Sequence, residues 1–343
     1  MLHLLGRCNL TCRHCYMGGG PLRTESLRLD SVVAAIAEAG ALGIGNLYLT
    51  GGEPTLYSGL SDVLEVASRD SGLETVLCTN ATLTNARLVS TLTRTRCRVH
   101  VSVDGDEAFH DYFRNLPGSF RSSEKGVRRF VDAGLPVTIV ATISRDNLAS
   151  LATIAQWSAA IGAAKFRVQP LLKLGRGLDI VDHCLTTEEL NLLILQLTDL
   201  GNRYSGQLDC GMIGVTKRFL LAHPCGAYVC NGAGCHRRVA KEIKKVVVRE
   251  DGTVLPEVTN LSHAFALGHI DEAPLSSLVA RYFADGYEKF DRLCRSTYNE
   301  VVADWKDAVI PWDQIVAERS YSSNNWSGVT PAETQDMACG SCS

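Results

Sequence analysis

Short apolar runs alternate with amphipathic segments over roughly the first half of this 343-residue chain. The segments between the runs carry apolar residues at spacings of three and four, as helices with one buried face do. This alternation predicts parallel strands joined by crossover helices. Six units are too few to close an eight-stranded barrel, so we predict an α/β fold with a partial (β/α)6 barrel. The six predicted strands are residues 2–5, 46–50, 75–78, 99–103, 136–143 and 165–168.

The alternation stops after residues 175–177, and the remaining chain has a different character. Thr186 and Glu189 form a capping-box pattern that predicts a helix to about Leu200. Residues 244–255 predict a β-hairpin around an Asp-Gly turn. We therefore predict three parts: a barrel over 1–185, a smaller Cys-rich α+β region over 186–317, and a polar tail over 318–343 that ends in a Cys-x2-Cys motif.

Composition and charge describe an ordinary globular protein. The formal net charge is -3 and charged residues make up 21%, which gives no basic surface for nucleic acid. The N-terminal residues lack the pattern of a secretion signal, and the sequence has no apolar run long enough to span a bilayer. We predict a cytoplasmic protein with no nucleic-acid or membrane partner. Without a secretion signal, the thirteen cysteines indicate metal or redox chemistry better than disulfides.

Three of the cysteines follow the first predicted strand as Cys8-x3-Cys12-x2-Cys15. Three thiolates can hold three corners of a [4Fe-4S] cube, which leaves the fourth iron for another ligand. The amine and carboxylate of an amino acid cofactor can chelate that iron and place a sulfonium beside the cluster. A tetrahedral zinc site is the alternative, but zinc needs a fourth ligand, and His14 lies between two ligand positions where its ring does not easily reach the same metal.

The run of residues 8–16 resembles the signature of the radical S-adenosylmethionine (SAM) superfamily, with His14 as the aromatic-type residue before the third cysteine. Residues 50–54, Thr-Gly-Gly-Glu-Pro, end the second predicted strand and look like the glycine-rich segment of that family. The resemblance implies a [4Fe-4S] cluster on Cys8, Cys12 and Cys15, with SAM as the second cofactor. It also implies that the backbone and carboxylate of Gly51, Gly52 and Glu53 meet the methionyl amine.

Residues 101–105, 110–114 and 118–120 are similar to a subgroup that modifies peptides and sugars and often carries a SPASM or twitch domain. By this resemblance, Ser102 and Arg114 hold the ribose and carboxylate of SAM. Thr79 and Asn80 end the third predicted strand. Because strand ends of a βα barrel converge on one face, we expect them beside the other cofactor residues.

A second cysteine group, formed by Cys225, Cys230 and Cys235, looks like the opening of a SPASM or twitch region. Glu257 stands where that pattern usually has a cysteine after a proline, so a complete two-cluster arrangement is not expected. One auxiliary cluster remains open, with either Cys294 or the Cys339 and Cys342 pair completing its ligands. Equally open is a single cysteine that donates a hydrogen atom to a substrate radical.

The combined interpretation is an enzyme that cleaves SAM reductively to a 5'-deoxyadenosyl radical and abstracts hydrogen from a natural-product precursor. We place a ribosomally made peptide ahead as substrate, with an electron donor such as flavodoxin or ferredoxin. One alternative is a sugar or nucleoside enzyme, such as an epimerase, a dehydrogenase or a decarboxylase like the cytosylglucuronate decarboxylases. Another is a non-catalytic zinc scaffold in which both cysteine groups are structural.

Overall fold

A computed structural model of the chain describes residues 1–69, 72–227, 245–258, 260–304 and 309–321. The chain divides into two compact units. The first consists of Met1–Gly40, Ile44–Ile213 and Arg249–Asp251, and the second of the described residues within Ala41–Gly43, Gly214–Val248 and Gly252–Ser343.

Seven parallel strands in chain order form the sheet of the first unit. All six predicted strands are confirmed. The seventh was not predicted, because its four residues Asp-Cys-Gly-Met are too few to establish a periodicity. The strands are β1 (Leu2–His3), β2 (Asn46–Thr50), β3 (Glu74–Thr79), β4 (Arg98–Ser102), β5 (Val137–Ile143), β6 (Lys165–Pro170) and β7 (Asp209–Met212).

Amphipathic helices connect these strands, as the α/β prediction requires. Side chains cap several of them: Asn85 and Asp106 each accept a hydrogen bond from a backbone N–H of the first turn. The helices are α1 (Leu29–Ala39), α2 (Leu60–Ala67), α3 (Ala86–Arg94), α4 (Glu107–Arg114), α5 (Ser119–Asp132), α6 (Leu151–Ala160) and α7 (Thr187–Arg203).

One face of the sheet is fully buried and the other keeps some solvent access. On β4, Val99 and Val101 are 0% exposed, whereas the alternate residues His100 and Ser102 are only half-buried. This period of two is the signature of a strand with two different environments. The apolar helix faces, for example Phe130 on α5, complete the core.

The boundary between the units lies later than the sequence predicted. We placed the end of the barrel at residue 185, but the first unit continues to Ile213. The predicted capping box of Thr186 and Glu189 is confirmed. However, the helix that it begins packs against β7, which pairs in parallel with β6. Helix α7 and strand β7 therefore extend the barrel sheet instead of opening the C-terminal region.

The second unit is α+β. The predicted hairpin is confirmed: β9 (Val246–Val248) pairs antiparallel with β10 (Thr253–Pro256). A second antiparallel pair joins β8 (Val215–Thr216) to β12 (Val309–Ile310), and β11 (Gly268–His269) extends the hairpin. The helices are α8 (Lys217–Ala222), α9 (Leu275–Arg281), α10 (Tyr287–Asp304) and α11 (Trp312–Tyr321). Within the described residues, no helix is both long and apolar enough to cross a membrane.

Candidate active site

The three N-terminal cysteines lie in one loop that directly follows β1. Cys8 and Cys12 are each 7% exposed and pack around the buried Leu10, with the half-buried Cys15 against them. The loop folds back on itself, because the N–H of Cys8 donates to the carbonyl of Gly20 (3.1 Å) and the N–H of Cys15 donates to that of Cys12 (3.3 Å). The sequence motif is therefore a compact group of three thiols in space.

Burial and mutual repulsion make two of these thiols, Cys8 and Cys12, reluctant to ionise without a cation. Burial raises the pKa of Cys8 to about 12, and Glu53 and the other two cysteines add to the effect. Burial also raises the pKa of Cys12, although Arg114 opposes it. Cysteine binds metal as the thiolate, so a metal centre supplies the positive charge that this loop needs in order to ionise.

Helix α4 fixes the middle of the cysteine loop. The N–H of Arg13 donates to the carbonyl of Phe113 (2.9 Å), and the Arg13 guanidinium lies 4.5 Å from the centre of the Tyr112 ring. His14 stacks on the Phe113 ring at 4.0 Å. Burial lowers the pKa of His14 to about 3, although Asp104 opposes this, so the ring is neutral at pH 7. His14 thus anchors the loop to α4 through its flat face.

Arg114, at the end of α4, connects Cys12 to a buried carboxylate. Its Nε donates to Oδ2 of Asp104 at 2.6 Å, and its Nη1 lies 3.9 Å from the sulfur of Cys12. Burial alone would raise the pKa of Asp104, but Arg114 and the nearby histidines outweigh it and lower the pKa to about 2. The pair is therefore ionised, with its positive end toward Cys12.

Three hydrogen bonds besides the one from Arg114 hold Asp104 and its peptide group in place. Its Oδ1 accepts the N–H of Thr142 on β5 (2.9 Å), and its carbonyl accepts the side-chain amide of Asn147 (2.6 Å). Its own N–H donates to Nδ1 of His110 (3.3 Å). Asp104 and Asn147 were not among the predicted site residues, because only the fold brings them to the cysteine loop.

Glu53 is buried at the carboxyl end of β2 and is surrounded by neutral donors. Its Oε1 accepts the hydroxyls of Thr55 and Thr79 at 2.7 Å each, and its Oε2 accepts the N–H of Asn80 at 2.8 Å. Burial raises its pKa, although these hydrogen bonds oppose the effect. In the structure its carboxylate joins the ends of β2 and β3; its contact with the methionyl amine stays a prediction.

Asn80 continues this network to the cysteine loop. Its side-chain amide donates to Oδ1 of Asn9 (3.0 Å), and Asn9 in turn donates to the hydroxyl of Thr82 (2.8 Å). Asn9 follows the first cluster cysteine directly in the sequence. The end of β3 is thereby tied to the start of the loop, and Asn9 joins the set of site residues that sequence reasoning missed.

Gly51 and Gly52 permit a close approach, but to the chain's own backbone. A Cβ on Gly52 would lie 2.2 Å from the carbonyl oxygen of Arg7, and one on Gly51 would lie 2.5 Å from that of Leu5. The N–H of Gly52 donates to Leu5 (2.7 Å) and that of Glu53 to Arg7 (2.9 Å). The glycines therefore let the end of β2 pack on the segment that leads into Cys8.

Arg176, which follows β6, binds the cysteine loop through three hydrogen bonds. Sequence reasoning did not predict it as a site residue. Its Nε donates to the carbonyl of Cys12 (2.7 Å), its Nη2 to that of Gly19 (2.9 Å), and its N–H to that of Cys15 (3.0 Å). The preceding Gly175 has a φ of +54°, and a Cβ there would lie 2.4 Å from the carbonyl oxygen of Cys15. In the sequence, residues 175–177 showed only that the βα alternation ends.

The structure brings most of the predicted residues to one edge of the first unit. Ser102 is the last residue of β4, two residues before Asp104, and so lies at the same edge. Cys230, Cys235, Cys339 and Cys342 lie outside the described residues, as does the side chain of Cys225. Cys294 is fully buried on α10.

The donor set fits an iron–sulfur cluster. In the described ranges, no group of three or more His, Cys, Asp or Glu side chains converges on a point where a single metal ion could bind. A cube does not require such convergence, because each cysteine binds a different iron. The mononuclear zinc site therefore lacks geometric support among the described residues.

A partial βα barrel whose first strand leads into a compact loop of three cysteines defines the class of this protein. Residues 2–157 match the family model described as the radical SAM superfamily, so this part of the chain is a radical SAM domain. The resemblance of residues 8–16 and 50–54 is thereby confirmed. The cofactors of such a domain are a [4Fe-4S] cluster and SAM.

Known relatives resemble about half of the chain. The AdoMet-dependent heme synthase of Methanosarcina barkeri (strain Fusaro / DSM 804) is 34% identical over 179 residues, which are 51% of this chain and 50% of that protein. The sporulation killing factor maturation protein SkfB of Bacillus subtilis (strain 168) is 29% identical over 182 residues, 51% of this chain and 43% of that protein. The chain spans about half the length of these relatives.

Solved structures extend the fold similarity further along the chain. Streptococcus suis SuiB bound to its precursor peptide SuiA has a TM-score of 0.67 at 15% identity, and the match covers 92% of this chain and 69% of that one. Native anSMEcpe with bound AdoMet and Cp18Cys peptide has a TM-score of 0.63 at 16% identity, and the match covers 94% of this chain and 93% of that one. At these identities the similarity shows the fold.

Proposed function

We propose that this protein is a radical SAM enzyme that modifies a ribosomally made peptide. The observation that carries the proposal is the compact group of three thiols, two of them buried, which hydrogen bonds hold at the carboxyl ends of the barrel strands. When bound, the cluster and SAM supply a 5'-deoxyadenosyl radical that abstracts one hydrogen atom from the substrate.

Each site residue has a task in this proposal. Cys8, Cys12 and Cys15 hold three irons as thiolates. Glu53 fixes the end of β2 relative to β3 through Thr79 and Asn80. With that edge fixed, the peptide groups of residues 51–53 and the side chain of Ser102 are positioned to bind the methionyl and ribose parts of SAM. Burial of the loop excludes water from the reacting atoms.

The half-buried face of the sheet supports a neutral, polar substrate. It carries Tyr48 and His100, whose rings meet edge to face at 6.0 Å, and the side chains of Thr142 and Gln169. Burial lowers the pKa of His100 to about 4, and nearby cations add to the effect, so the ring is neutral at pH 7. Peptide amides match hydroxyl, amide and neutral imidazole groups as hydrogen-bonding partners.

Charged substrates find less support on this face. The cations on this face already pair with carboxylates: Arg167 donates to Asp209 at 2.6 Å, Lys165 lies 3.9 Å from the same carboxylate, and Arg98 lies 2.9 Å from Glu74. A sugar nucleotide carries phosphates and a tetrapyrrole carries several carboxylates, and both are bound best by unengaged arginines. Because some relatives are heme synthases, a tetrapyrrole is nevertheless tested as a substrate, together with the sugar and nucleoside alternative.

The experiment offers three substrate classes to anaerobically reconstituted protein with SAM and a low-potential reductant. Candidate precursor peptides, iron-coproporphyrin and sugar nucleotides are each followed by mass spectrometry. We expect a mass change in a peptide alone, accompanied by 5'-deoxyadenosine. A change in the porphyrin or the sugar nucleotide, with every peptide unaltered, would contradict the peptide assignment while leaving the radical chemistry intact.

A cysteine control separates chemistry from structure. The Cys8→Ala/Cys12→Ala/Cys15→Ala variant should release no 5'-deoxyadenosine, whereas Cys97→Ala, which removes a fully buried thiol outside the loop, should release it at the wild-type rate per cluster. Wild-type protein that binds zinc stoichiometrically, contains no iron and cleaves no SAM would instead establish the non-catalytic scaffold.

The same triple variant decides whether a second cluster exists. About four irons retained after reconstitution would establish an auxiliary cluster, for which Cys225, Cys230 and Cys235 are the proposed ligands. No retained iron would leave the radical cluster as the only one, and those cysteines would then be candidates for hydrogen donation or structure.

A further inference from the structure

The buried pair of Asp104 and Arg114 does more in this structure than the sequence resemblance implied. The resemblance assigned Arg114 to the carboxylate of SAM. In the structure its Nε is occupied by Asp104 at 2.6 Å, and its Nη1 faces the sulfur of Cys12 at 3.9 Å. The side chain of Arg114 is 9% exposed and that of Asp104 is 0% exposed. The guanidinium is therefore already committed to a cluster ligand on one side and to a carboxylate on the other.

The orientation of this guanidinium is fixed by Asp104, which is itself held by other residues. Asp104 cannot rotate freely, because its second oxygen accepts the N–H of Thr142 on β5 and its carbonyl accepts the Asn147 side chain. Because the guanidinium is planar and rigid, fixing Nε also fixes where Nη1 points. The pair thus presents the same N–H to the sulfur of Cys12 with little conformational freedom.

A hydrogen bond from a cation to a ligand sulfur favours the more negative, reduced state of an iron–sulfur cluster. Net charge, hydrogen bonds to the sulfurs and solvent exposure are the factors that set the reduction potential. Here water provides little screening, because both members of the pair are buried. The geometry therefore matches an arrangement that makes a one-electron reduction easier.

We propose that Arg114, held by Asp104, is a positioning residue that raises the reduction potential of the cluster by donating an N–H to the sulfur of Cys12. The proposal rests on the proposed function only in that the three cysteines of the loop hold the cluster. The electron comes from a one-electron donor of the flavodoxin or ferredoxin class, and the cluster is the group that is reduced.

The test is an EPR-monitored redox titration of reconstituted protein without SAM or substrate. The Arg114→Met/Asp104→Asn variant removes both charges together, so that no buried carboxylate loses its partner. Its matched control, Arg203→Met/Asp199→Asn, makes the same changes in an exposed pair on α7, whose side chains are 59% and 64% exposed. We expect a more negative midpoint potential in the first variant and an unchanged one in the control.

Arg114→Lys tests the geometry of the contact separately from the charge. Lysine keeps the positive charge but lacks the planar guanidinium. The midpoint potential of the cluster in Arg114→Lys should therefore lie between those in the wild type and the double variant. Failure of Arg114→Lys to assemble four irons, while the control assembles them, would mean that Arg114 is needed for assembly and would overturn the proposal.

Binding of SAM to the oxidised protein separates this role from the one that the resemblance implied. If the double variant keeps the wild-type potential, or has a more positive one, the proposal is wrong; weaker SAM binding in that variant would then make Arg114 a cofactor contact. Because the titration needs no substrate, an incorrect peptide assignment leaves this test unaffected.

Discussion

At the residue scale, the site depends on polar groups that are buried and held by several neighbours at once. Glu53 accepts hydrogen bonds from two threonine hydroxyls and two backbone amides. Asp104 is held from β5, α4 and the loop after β5. Removing one member of such a group leaves several buried donors or acceptors unpaired, which costs more than the loss of one hydrogen bond.

Glu53→Gln is expected to destabilise the protein. The new amide places an N–H₂ group against at least one donor that the carboxylate now accepts from, so the unfolding free energy should fall by about 2 kcal/mol. Chemical denaturation measures this. Glu65→Gln, at an exposed surface pair with Arg94, should change it by less than about 0.5 kcal/mol. Equal effects at both positions would contradict the role assigned to Glu53.

His110 should make the fold sensitive to mild acid. Burial lowers its pKa to about 4, and Arg114 adds to the effect; its Nδ1 must stay unprotonated to accept the N–H of Asp104. The unfolded chain takes up a proton below about pH 6.5 and the folded chain does so only below about 4. The histidine thus contributes stability above pH 6.5 that is lost as the pH falls, by about 3 kcal/mol in full.

The variant His110→Gln tests this dependence, because its side-chain oxygen can accept the same N–H without titrating. The drop in thermal midpoint between pH 7 and pH 4.5 should be smaller in His110→Gln than in the wild type. The exposed His183→Gln should keep the wild-type drop. A wild-type drop in the His110 variant would show that another group causes the acid sensitivity.

At the scale of elements, the cysteine loop is held by segments from three parts of the barrel. The end of β2 packs beneath it through Gly51 and Gly52, α4 holds its middle through Arg13 and His14, and the segment after β6 closes it through Arg176. These attachments restrict the positions of the three thiols before any cluster binds. Such preorganisation reduces the loss of conformational entropy when the cluster binds.

Gly52→Ala should disturb this assembly strongly. The new Cβ would lie 2.2 Å from a backbone oxygen, which cannot move away without shifting the segment that leads into Cys8. We expect a loss of about 1–3 kcal/mol or more in the unfolding free energy and faster removal of iron by a chelator. Gly45→Ala is the control, because the nearest atom to its new Cβ lies 3.8 Å away. Wild-type iron retention in Gly52→Ala would contradict the packing argument.

At the scale of the whole molecule, the division into units follows side-chain packing and strand pairing, not sequence composition. Helix α7 begins after the predicted end of the barrel, yet its buried residues Leu193, Leu197 and Leu200 belong to the first unit. Strand β7 adds to the edge of β6 with parallel register. The barrel unit therefore needs residues as far as Ile213 for its sheet and core.

Leu193→Ala tests this division. Leu193 is 0% exposed, so the variant should lose about 2–5 kcal/mol of stability. In hydrogen-exchange mass spectrometry, protection should fall in β6 and β7 and stay unchanged in β9 and β10. Leu195→Ala, on the same helix but 68% exposed, should alter neither. Loss of protection confined to β9 and β10 would assign α7 to the second unit.

The sequence by itself determined the repeating βα architecture and the chemistry of the cysteine loop. Both are local in the chain. The hydrophobic periodicity of a segment indicates whether it is a strand or a helix, and Cys8, Cys12 and Cys15 fall within eight residues. The positions of Gly51, Gly52 and Glu53 followed from their place at a strand end. The C-terminal cysteines remain predictions, because most of them lie outside the described residues.

Only the tertiary structure decided what holds the site together. Arg176 reaches Cys12 from 164 positions further along the chain, and Arg114 is separated from the same cysteine by 102 positions. Neither distance is encoded in a local pattern, because parallel strands bring remote segments to one edge regardless of their separation in sequence. The same reason explains why β7, which is too short to show a periodicity of its own, became part of the barrel only by pairing with β6.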